Sequence, residues 1–340
     1  MSHPAITTAA ALAAITLTAG QASAYLQVFP VADAQLEGDR FYDGAFSDGT
    51  NVYSVFRSSA PGDANGYITV FDGSTHSSAM TGAQWNALGA GDLAASDGAR
   101  VVAGELRFVN FFTNEFYSVD LGTGTPSVVT TNADINLLVV DSSNFTAANT
   151  VADDGTIIGY ESRTDQIVNE TPSILLSSAA LTSATGNDSV SGMTANGSDI
   201  IWGSNTSDEL YSYDGTTVST IMTEAEYTAF TGEDNPGFND MIVGGDGLLY
   251  FYDTRTDAIL SLDPDAAVPA STLAVVISEA ELLAGPGNSD LIGNLTWYNG
   301  DIAWTVTSSS SGRVPGFYSI PEPASAALMG LAGLALIRRR

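Results

Sequence analysis

The sequence predicts an all-β fold made of repeated four-stranded sheets, and its turn signals support that prediction. Turns of Asp-Gly or Asn-Gly recur six times, with intervals of 49, 57, 42, 50 and 53 residues between their glycines. Asp and Asn before Gly favour tight hairpin turns because these residues tolerate positive φ. A period near fifty residues is typical of a repeat architecture. The six turns are Asp48-Gly49, Asp97-Gly98, Asp154-Gly155, Asn196-Gly197, Asp246-Gly247 and Asn299-Gly300.

Strand-like runs follow each turn in the same order. The first run is rich in β-branched and aromatic residues, as in 52–56 and 248–252, and such residues favour strands over helices. A second run often ends in a turn-forming aspartate, and a short outer strand then closes the unit. With the innermost strand before the turn, each unit is predicted to hold four strands. The aspartates that end the second runs are Asp72, Asp120, Asp214 and Asp263.

A short helix is predicted behind the outer strand in four of the units. Each has Thr or Ser three residues before Gln, Asp or Glu, which is the pattern of a capping box. The recurrence of this box at equivalent positions supports the repeat. The four boxes are Thr81 with Gln84, Thr131 with Asp134, Thr223 with Glu226, and Ser278 with Glu281.

Six four-stranded units predict a β-propeller of six blades around a central channel. The last unit has only three clear strands, and the segment Tyr25–Phe29 is predicted to supply its outer strand, which would remove an open sheet edge. Five or seven blades stay open, because the third unit is irregular and its later strands are predicted within 171–185. The main alternative, a β-sandwich, explains the strands but not the period. The Asp-Gly turns followed by apolar strands resemble propellers of the NHL or YVTN type.

The charge of the chain argues against nucleic acid as a partner. The 340 residues carry a formal net charge of −29 and contain no cysteine and no lysine. Residues 25–320 carry −31, since 38 of the 39 acidic residues but only seven of the ten arginines lie there. Such a surface repels phosphate backbones, so no nucleic-acid partner is expected. The lack of cysteine excludes disulfides and thiolate zinc sites.

Both ends of the chain are predicted to be targeting signals. An apolar run from Ala5 to Ala19 is followed by Ala22 and Ala24, the small residues of a signal-peptidase site, so residues 1–24 are predicted to be a signal peptide and Tyr25 the mature start. The last twenty residues hold a Pro-Glu-Pro element, a short apolar stretch from Ala324 to Ile337 and an arginine cluster. That order resembles the PEP-CTERM sorting signal. Its residues are Pro321, Glu322, Pro323, Arg338, Arg339 and Arg340.

The resemblance implies a location and a set of partners. It implies export through the Sec translocon, cleavage by signal peptidase, a transient inner-membrane stage through the C-terminal helix of 321–340, and recognition by an exosortase. The expected destination is the cell surface or extracellular matrix of a Gram-negative-type bacterium, in association with exopolysaccharide or biofilm. The chain is therefore predicted to consist of a signal peptide (1–24), a propeller domain (25–320) and a sorting signal (321–340).

Few residues of the predicted mature chain suggest catalysis. His76 is its only histidine, and it is predicted to be an exposed loop residue, so serine-hydrolase and zinc chemistry have little basis. Carboxylates are abundant, so a glycosidase or lyase that uses Asp or Glu stays open as the alternative function. The favoured expectation is a binding or structural propeller without catalysis, and no cofactor is assigned.

Two sets of residues are candidates for binding. Asp43, Asp92, Asp240 and Asp290 stand shortly before the turn glycines, where they could ring one mouth of the channel and bind calcium through oxygen ligands. The favoured reading is that each of them caps a connection between blades. Among the four tryptophans, Trp202 and Trp304 are expected in the core, and Trp85 is the candidate for an outward-facing platform that stacks on a glycan.

Overall fold

The computed structural model describes residues 25–37, 41–57, 66–95, 98–139, 144–289, 292–306 and 315–320. Its strands form six separate four-stranded sheets, and every pairing within a sheet is antiparallel. The prediction of a six-bladed propeller is confirmed. The segments 1–24 and 321–340, on which a signal helix and an apolar C-terminal helix are predicted, lie outside the described residues.

The elements follow one another blade by blade. The chain begins with β1 (Leu26–Pro30) and α1 (Val31–Ala34). Blade 1 consists of β2 (Phe41–Ser47), β3 (Val52–Arg57), β4 (Tyr67–Phe71) and β5 (His76–Met80), followed by α2 (Gly82–Leu88). Blade 2 consists of β6 (Arg100–Val102), β7 (Glu105–Asn110), β8 (Glu115–Asp120) and β9 (Thr125–Thr130), followed by α3 (Asn132–Ile135). Blade 3 consists of β10 (Phe145–Val151), β11 (Ile157–Glu161), β12 (Gln166–Asn169) and β13 (Ser173–Leu176), followed by α4 (Ser178–Thr185).

The second half repeats this order. Blade 4 consists of β14 (Gly192–Asn196), β15 (Asp199–Ser204), β16 (Glu209–Tyr213) and β17 (Val218–Met222), followed by α5 (Glu224–Thr231). Blade 5 consists of β18 (Phe238–Val243), β19 (Leu249–Asp253), β20 (Ala258–Leu262) and β21 (Ala274–Ile277), with a 3₁₀ turn at Pro269–Thr272, followed by α6 (Glu279–Ala284). Blade 6 contains β22 (Gly293–Tyr298), β23 (Asp301–Val306) and β24 (Gly316–Ser319).

The N-terminal strand completes the last blade. β1 pairs antiparallel with β24, with Leu26 opposite Ser319 and Pro30 opposite Gly316. The predicted ring closure by the N-terminal segment is therefore present. Since β1 supplies the outermost strand of blade 6, the two ends of the described chain meet in one sheet.

Two boundaries differ from the prediction. In blade 2 the hairpin turn between β6 and β7 is Ala103-Gly104, both with positive φ, whereas Gly98 precedes the innermost strand. Glycine is required there because a Cβ at position 98 would lie 1.6 Å from the carbonyl oxygen of Asn149. In blade 3 the range 171–185 contains β13 and α4, and the third strand, β12, comes before it.

All four predicted capping boxes form. At the start of α2, the amide of Gln84 donates to Thr81 Oγ1 at 3.2 Å and the amide of Thr81 donates to Gln84 Oε1 at 2.8 Å. Helix α4 has a simpler cap, in which Ser177 accepts from the amide of Ala180. The sequence pattern misses this cap because alanine has no side-chain oxygen to complete the box.

The innermost strands of neighbouring blades approach one another closely. At three alternate junctions a glycine permits this: a Cβ at Gly44 would lie 1.8 Å from Asn294 Oδ1, and one at Gly192 would lie 2.0 Å from the carbonyl oxygen of Asn239, as at Gly98. The end of the channel where the innermost strands begin is named the strand-start mouth, and the opposite end, at the turns after the innermost strands, is named the turn-side mouth.

Candidate functional site

A cavity of about 400 Å³ opens at the turn-side mouth. Each of the six blades contributes the end of its innermost strand or the turn after it, so the cavity lies on the propeller axis. Cavities of this size commonly hold small ligands. One lining residue from each blade is Ser47, Val101, Thr150, Asn196, Val243 and Trp297.

Trp297 is the aromatic residue of this cavity. Its half-buried ring lies 5.9 Å from the ring of Tyr250, measured between centroids. The indole also lies against the backbone of two glycines, since a Cβ at either Gly244 or Gly245 would lie 2.6 Å from an indole atom. Two consecutive glycines therefore make room for the indole, whose position is set by backbone on one side and by Tyr250 on another.

Arg100 and Asp153 form an ion pair on the cavity wall. Arg100 Nη1 lies 3.1 Å from Asp153 Oδ1 and donates at 2.8 Å to the carbonyl oxygen of Val151 at the end of β10. Nε and Nη2 of Arg100 make no hydrogen bond to the described residues. The arginine side chain is 28% exposed and the aspartate side chain 62% exposed. The pair links blades 2 and 3 and remains accessible to solvent.

Asp48 also lines the cavity, but its oxygens are used by its own turn. It accepts hydrogen bonds from the amides of Thr50 and Asn51, from Asn51 Nδ2 and from the hydroxyl of Tyr53. Burial favours the protonated carboxyl, but these hydrogen bonds outweigh burial and lower the pKa of Asp48. Burial and the neighbouring carboxylate raise the pKa of Tyr53 to about 12. Asp48 is thus an ionised turn former.

The predicted ring of aspartates lies at the strand-start mouth, where its described members have separate contacts. Asp43 lies 3.7 Å from Arg57 Nε. The carboxylate of Asp240 is buried and accepts a hydrogen bond from the amide of Leu295 in the next blade. Asp92 is half-buried, and its carbonyl oxygen accepts from Asn110 Nδ2. Asp290 lies outside the described residues. Within the described ranges, no three acidic or histidine side chains are arranged to hold a metal, and calcium binding here stays a prediction.

The prediction that Trp85 faces outward is wrong. Its exposed fraction is 0%, its ring packs 5.2 Å from that of Tyr117, and its indole N–H donates to the carbonyl oxygen of Gly91 at 2.7 Å. Position 85 lies on the inner face of the short helix α2, so the ring is part of the interblade core. Trp202 and Trp304 are also buried, as expected.

His76 is not an exposed loop residue either. It is the first residue of β5 and half-buried, and its ring packs against those of Phe29 and Phe71 at centroid distances of 4.7 and 4.8 Å. Neither ring nitrogen has a hydrogen-bond partner in the described structure. Burial lowers the pKa of His76, while Asp33 and Asp72 act in the opposite direction.

The spacing of the turn glycines could have predicted part of the cavity lining. Residues within three positions before the turn glycines line the cavity in several blades, including Asp48, Asp153, Asn196, Gly245 and Trp297. The turn spacing alone could therefore have selected Trp297. Arg100 could not be found in this way, because the turn of blade 2 was placed before its innermost strand instead of after it.

Comparison with solved structures finds the same fold in other proteins. The luciferin-regenerating enzyme is similar with a TM-score of 0.51 at 8% identity, over 86% of this chain and 94% of that one. A gluconolactonase from Xanthomonas campestris has a TM-score of 0.48 at 12% identity, over 87% and 89% of the two chains. Virginiamycin B lyase from Staphylococcus aureus has a TM-score of 0.46 at 12% identity, over 82% and 83%. No family model matches the sequence, and no curated protein matches it.

These similarities correct one expectation. The sequence favoured a propeller without catalysis, but the luciferin-regenerating enzyme shares this fold. At such low identity the likeness establishes the fold, and each activity belongs to the protein that carries it. Lack of catalysis therefore does not follow from the fold. In addition, no helix within the described ranges is long and apolar enough to span a membrane.

Proposed function

We propose that this chain is a carbohydrate-active enzyme that binds a saccharide in the turn-side cavity. The observation that carries the proposal is the position of Trp297, an aromatic ring set against two glycines in a cavity that is also lined by polar side chains. A sugar has apolar C–H faces and a rim of hydroxyl groups, so it suits a site that combines one aromatic ring with hydrogen-bonding groups. Thr150, Thr194 and Asn196 supply such groups.

Asp153 is the residue we assign to proton transfer. It is the lining carboxylate whose oxygens are not used by a turn, because Asp48 is held by four hydrogen bonds whereas the partner of Asp153 is Arg100. A solvent-accessible carboxylate beside a bound sugar can take a proton from the attacking water in hydrolysis or from a sugar carbon in elimination, while the leaving oxygen takes a proton from solvent. The function supported best is therefore a glycosidase or a lyase, with Trp297 binding and Asp153 reacting.

The proposal is tested by incubating the protein with a panel of bacterial exopolysaccharides and analysing the products. Hydrolysis yields new saturated chain ends, and elimination yields ends with a double bond. We expect Trp297→Ala to weaken binding, and Asp153→Asn to abolish turnover while binding persists. Asp154→Asn is the matched control, since Asp154 is adjacent in the chain and does not line the cavity. If the protein neither binds nor cleaves any polysaccharide of the panel, the proposed function is refuted.

We also propose that the protein is exported and sorted at the cell surface. The support is sequence pattern alone: the signal-peptide pattern ending at Ala24 and the resemblance of Pro321, Glu322 and Pro323 with the final arginines to a sorting signal. Both segments lie outside the described residues. Fractionation of cells that express the intact chain, compared with one lacking Pro321–Pro323, tests the sorting step. Identical processing and location of the two proteins would contradict it.

A further inference from the structure

We infer that the saccharide in the turn-side cavity carries a carboxylate group, as a uronic acid does, and that Arg100 binds it. The inference rests on the proposed function and specifies its substrate class. It starts from the scarcity of positive charge: the chain has no lysine and ten arginines, of which five lie in the described residues. Arg100 is the described arginine that lines the cavity.

The contacts of Arg100 leave one edge of the guanidinium available. Both of its protein contacts use Nη1, which faces Val151 and Asp153. The Nε–H and Nη2–H groups have no hydrogen-bond partner among the described residues, and the side chain is partly exposed. These two groups point in parallel from a planar guanidinium, and their spacing matches the two oxygens of a carboxylate.

The ion pair also positions this edge. The carbonyl oxygen of Val151 and the carboxylate of Asp153 hold Nη1 from the neighbouring blade, so less rotational freedom of the arginine is lost when a ligand binds. A neutral sugar would leave the charged edge in contact with water and would gain nothing from it. A carboxylated sugar of the same ring would use it for two charge-assisted hydrogen bonds.

The surrounding negative charge makes this contact selective. With −31 on residues 25–320, the protein repels anions at long range. Near the site, Asp153 offsets part of the charge of Arg100, and the charge of Asp48 is stabilised by four hydrogen bonds within its turn. A single carboxylate with good geometry is therefore favoured over ligands of higher negative charge, such as a sugar phosphate.

The test compares matched sugars that differ only in the carboxylate. Glucuronate, galacturonate and mannuronate oligomers are titrated into the full-length protein by calorimetry, each beside the corresponding glucose, galactose or mannose oligomer and the uronate methyl ester. We expect one uronate to bind about tenfold more tightly than its neutral counterpart and its ester. Arg100→Gln should abolish that difference, and Arg100→Lys should restore part of it, since an ammonium group keeps the charge but lacks the fork.

The outcomes separate this inference from the proposed function. Equal binding of acidic and neutral sugars, with Arg100→Gln having no effect, overturns the inference and leaves a carbohydrate site. Tighter binding of a sugar phosphate than of any uronate also overturns it. The absence of binding by every sugar refutes both. If Arg100→Gln fails to fold, the comparison of uronate with its methyl ester on the unmodified protein decides the question.

Discussion

The hydroxyl of Tyr227 donates a 2.6 Å hydrogen bond to Oδ2 of Asp253, and both side chains are 0% exposed. The same carboxylate accepts hydrogen bonds from the amides of Gly237 and Arg255 and from the hydroxyl of Thr256. A buried carboxylate is costly unless its oxygens are paired. In a chain without lysine, tyrosine hydroxyls and backbone amides supply this pairing.

We therefore expect Tyr227→Phe to destabilise the protein. The change leaves a buried charged group without one of its donors, which costs about 1.5–3 kcal/mol. Equilibrium unfolding in urea measures the change in free energy. Tyr213→Phe is the matched control, since the hydroxyl of Tyr213 donates to the carbonyl oxygen of Gly215 at an exposed site, and it should cost less than about 0.5 kcal/mol. Equal effects of the two variants would contradict the argument.

Closure of the ring depends on Tyr25, whose hydroxyl donates at 2.6 Å to the carbonyl oxygen of Leu282 and accepts at 3.2 Å from the amide of Gly287. Its ring lies 4.9 Å from that of Trp304. Tyr25→Ala should cost about 3–5 kcal/mol through loss of a buried aromatic ring. Leu26→Ala removes an exposed side chain from the adjacent position and serves as the control. Thermal unfolding measures both, and a small effect of Tyr25→Ala would show that β1 is dispensable for closure.

His76 should make stability depend on pH. Because burial lowers the pKa of His76 in the folded protein below its ordinary value of 6.5, the unfolded chain takes up a proton first as the pH falls through about 6.5. The His76 contribution is therefore fully present above that pH and is lost below it. Phe29 on the closing strand contacts this ring, so the effect falls on the junction between blades 1 and 6.

The measurement compares the free energy of unfolding of the natural protein and His76→Phe at about pH 8 and about pH 5. Phenylalanine can pack against the rings of Phe29 and Phe71 and cannot be protonated. The natural protein should lose more stability than the variant over this interval, and carboxylates that titrate in both proteins cancel. Parallel losses would show that His76 is not protonated differently on folding.

Glycine at the junctions of the innermost strands should resist substitution. Gly192→Ala would place a Cβ 2.0 Å from the carbonyl oxygen of Asn239, and the backbone of two strands would have to separate. Overpacking of this kind costs about 1–3 kcal/mol. Gly122→Ala is the control, because its nearest neighbour, Asp120 Oδ1, lies at 3.4 Å, and its effect should be within about 0.5 kcal/mol. A tolerated Gly192→Ala, judged by urea unfolding, would mean that the junction can widen.

The fold could be predicted from local sequence patterns because the same patterns recur in several blades. Hairpin turns, alternating strands and capping boxes each depend on residues close in the chain, and errors in one blade are outweighed by the others. A second repeated signal was overlooked: the tight turns between the second and third strands of blades 2 to 5 end in Asn114, Asp165, Asp208 and Asp257, all with positive φ. Each follows Thr or Ser. In the corresponding connections of blades 1 and 6, residues 58–65 and 307–314 lie outside the described residues.

The sequence by itself predicted a propeller, with six blades favoured over five or seven, its closure by the N-terminal strand and the caps of its helices, since turns, strand patterns and caps follow from short-range backbone preferences. Only the tertiary structure decided which side chains face the channel. Trp85 and Trp297 belong to the same residue type, yet one is enclosed by the next blade and the other lies in a cavity beside Gly244 and Gly245. Arg100 and Asp153 meet across two blades. Such contacts depend on how far the innermost strands separate along the axis, a distance set by packing between blades and absent from the spacing of residues along the chain.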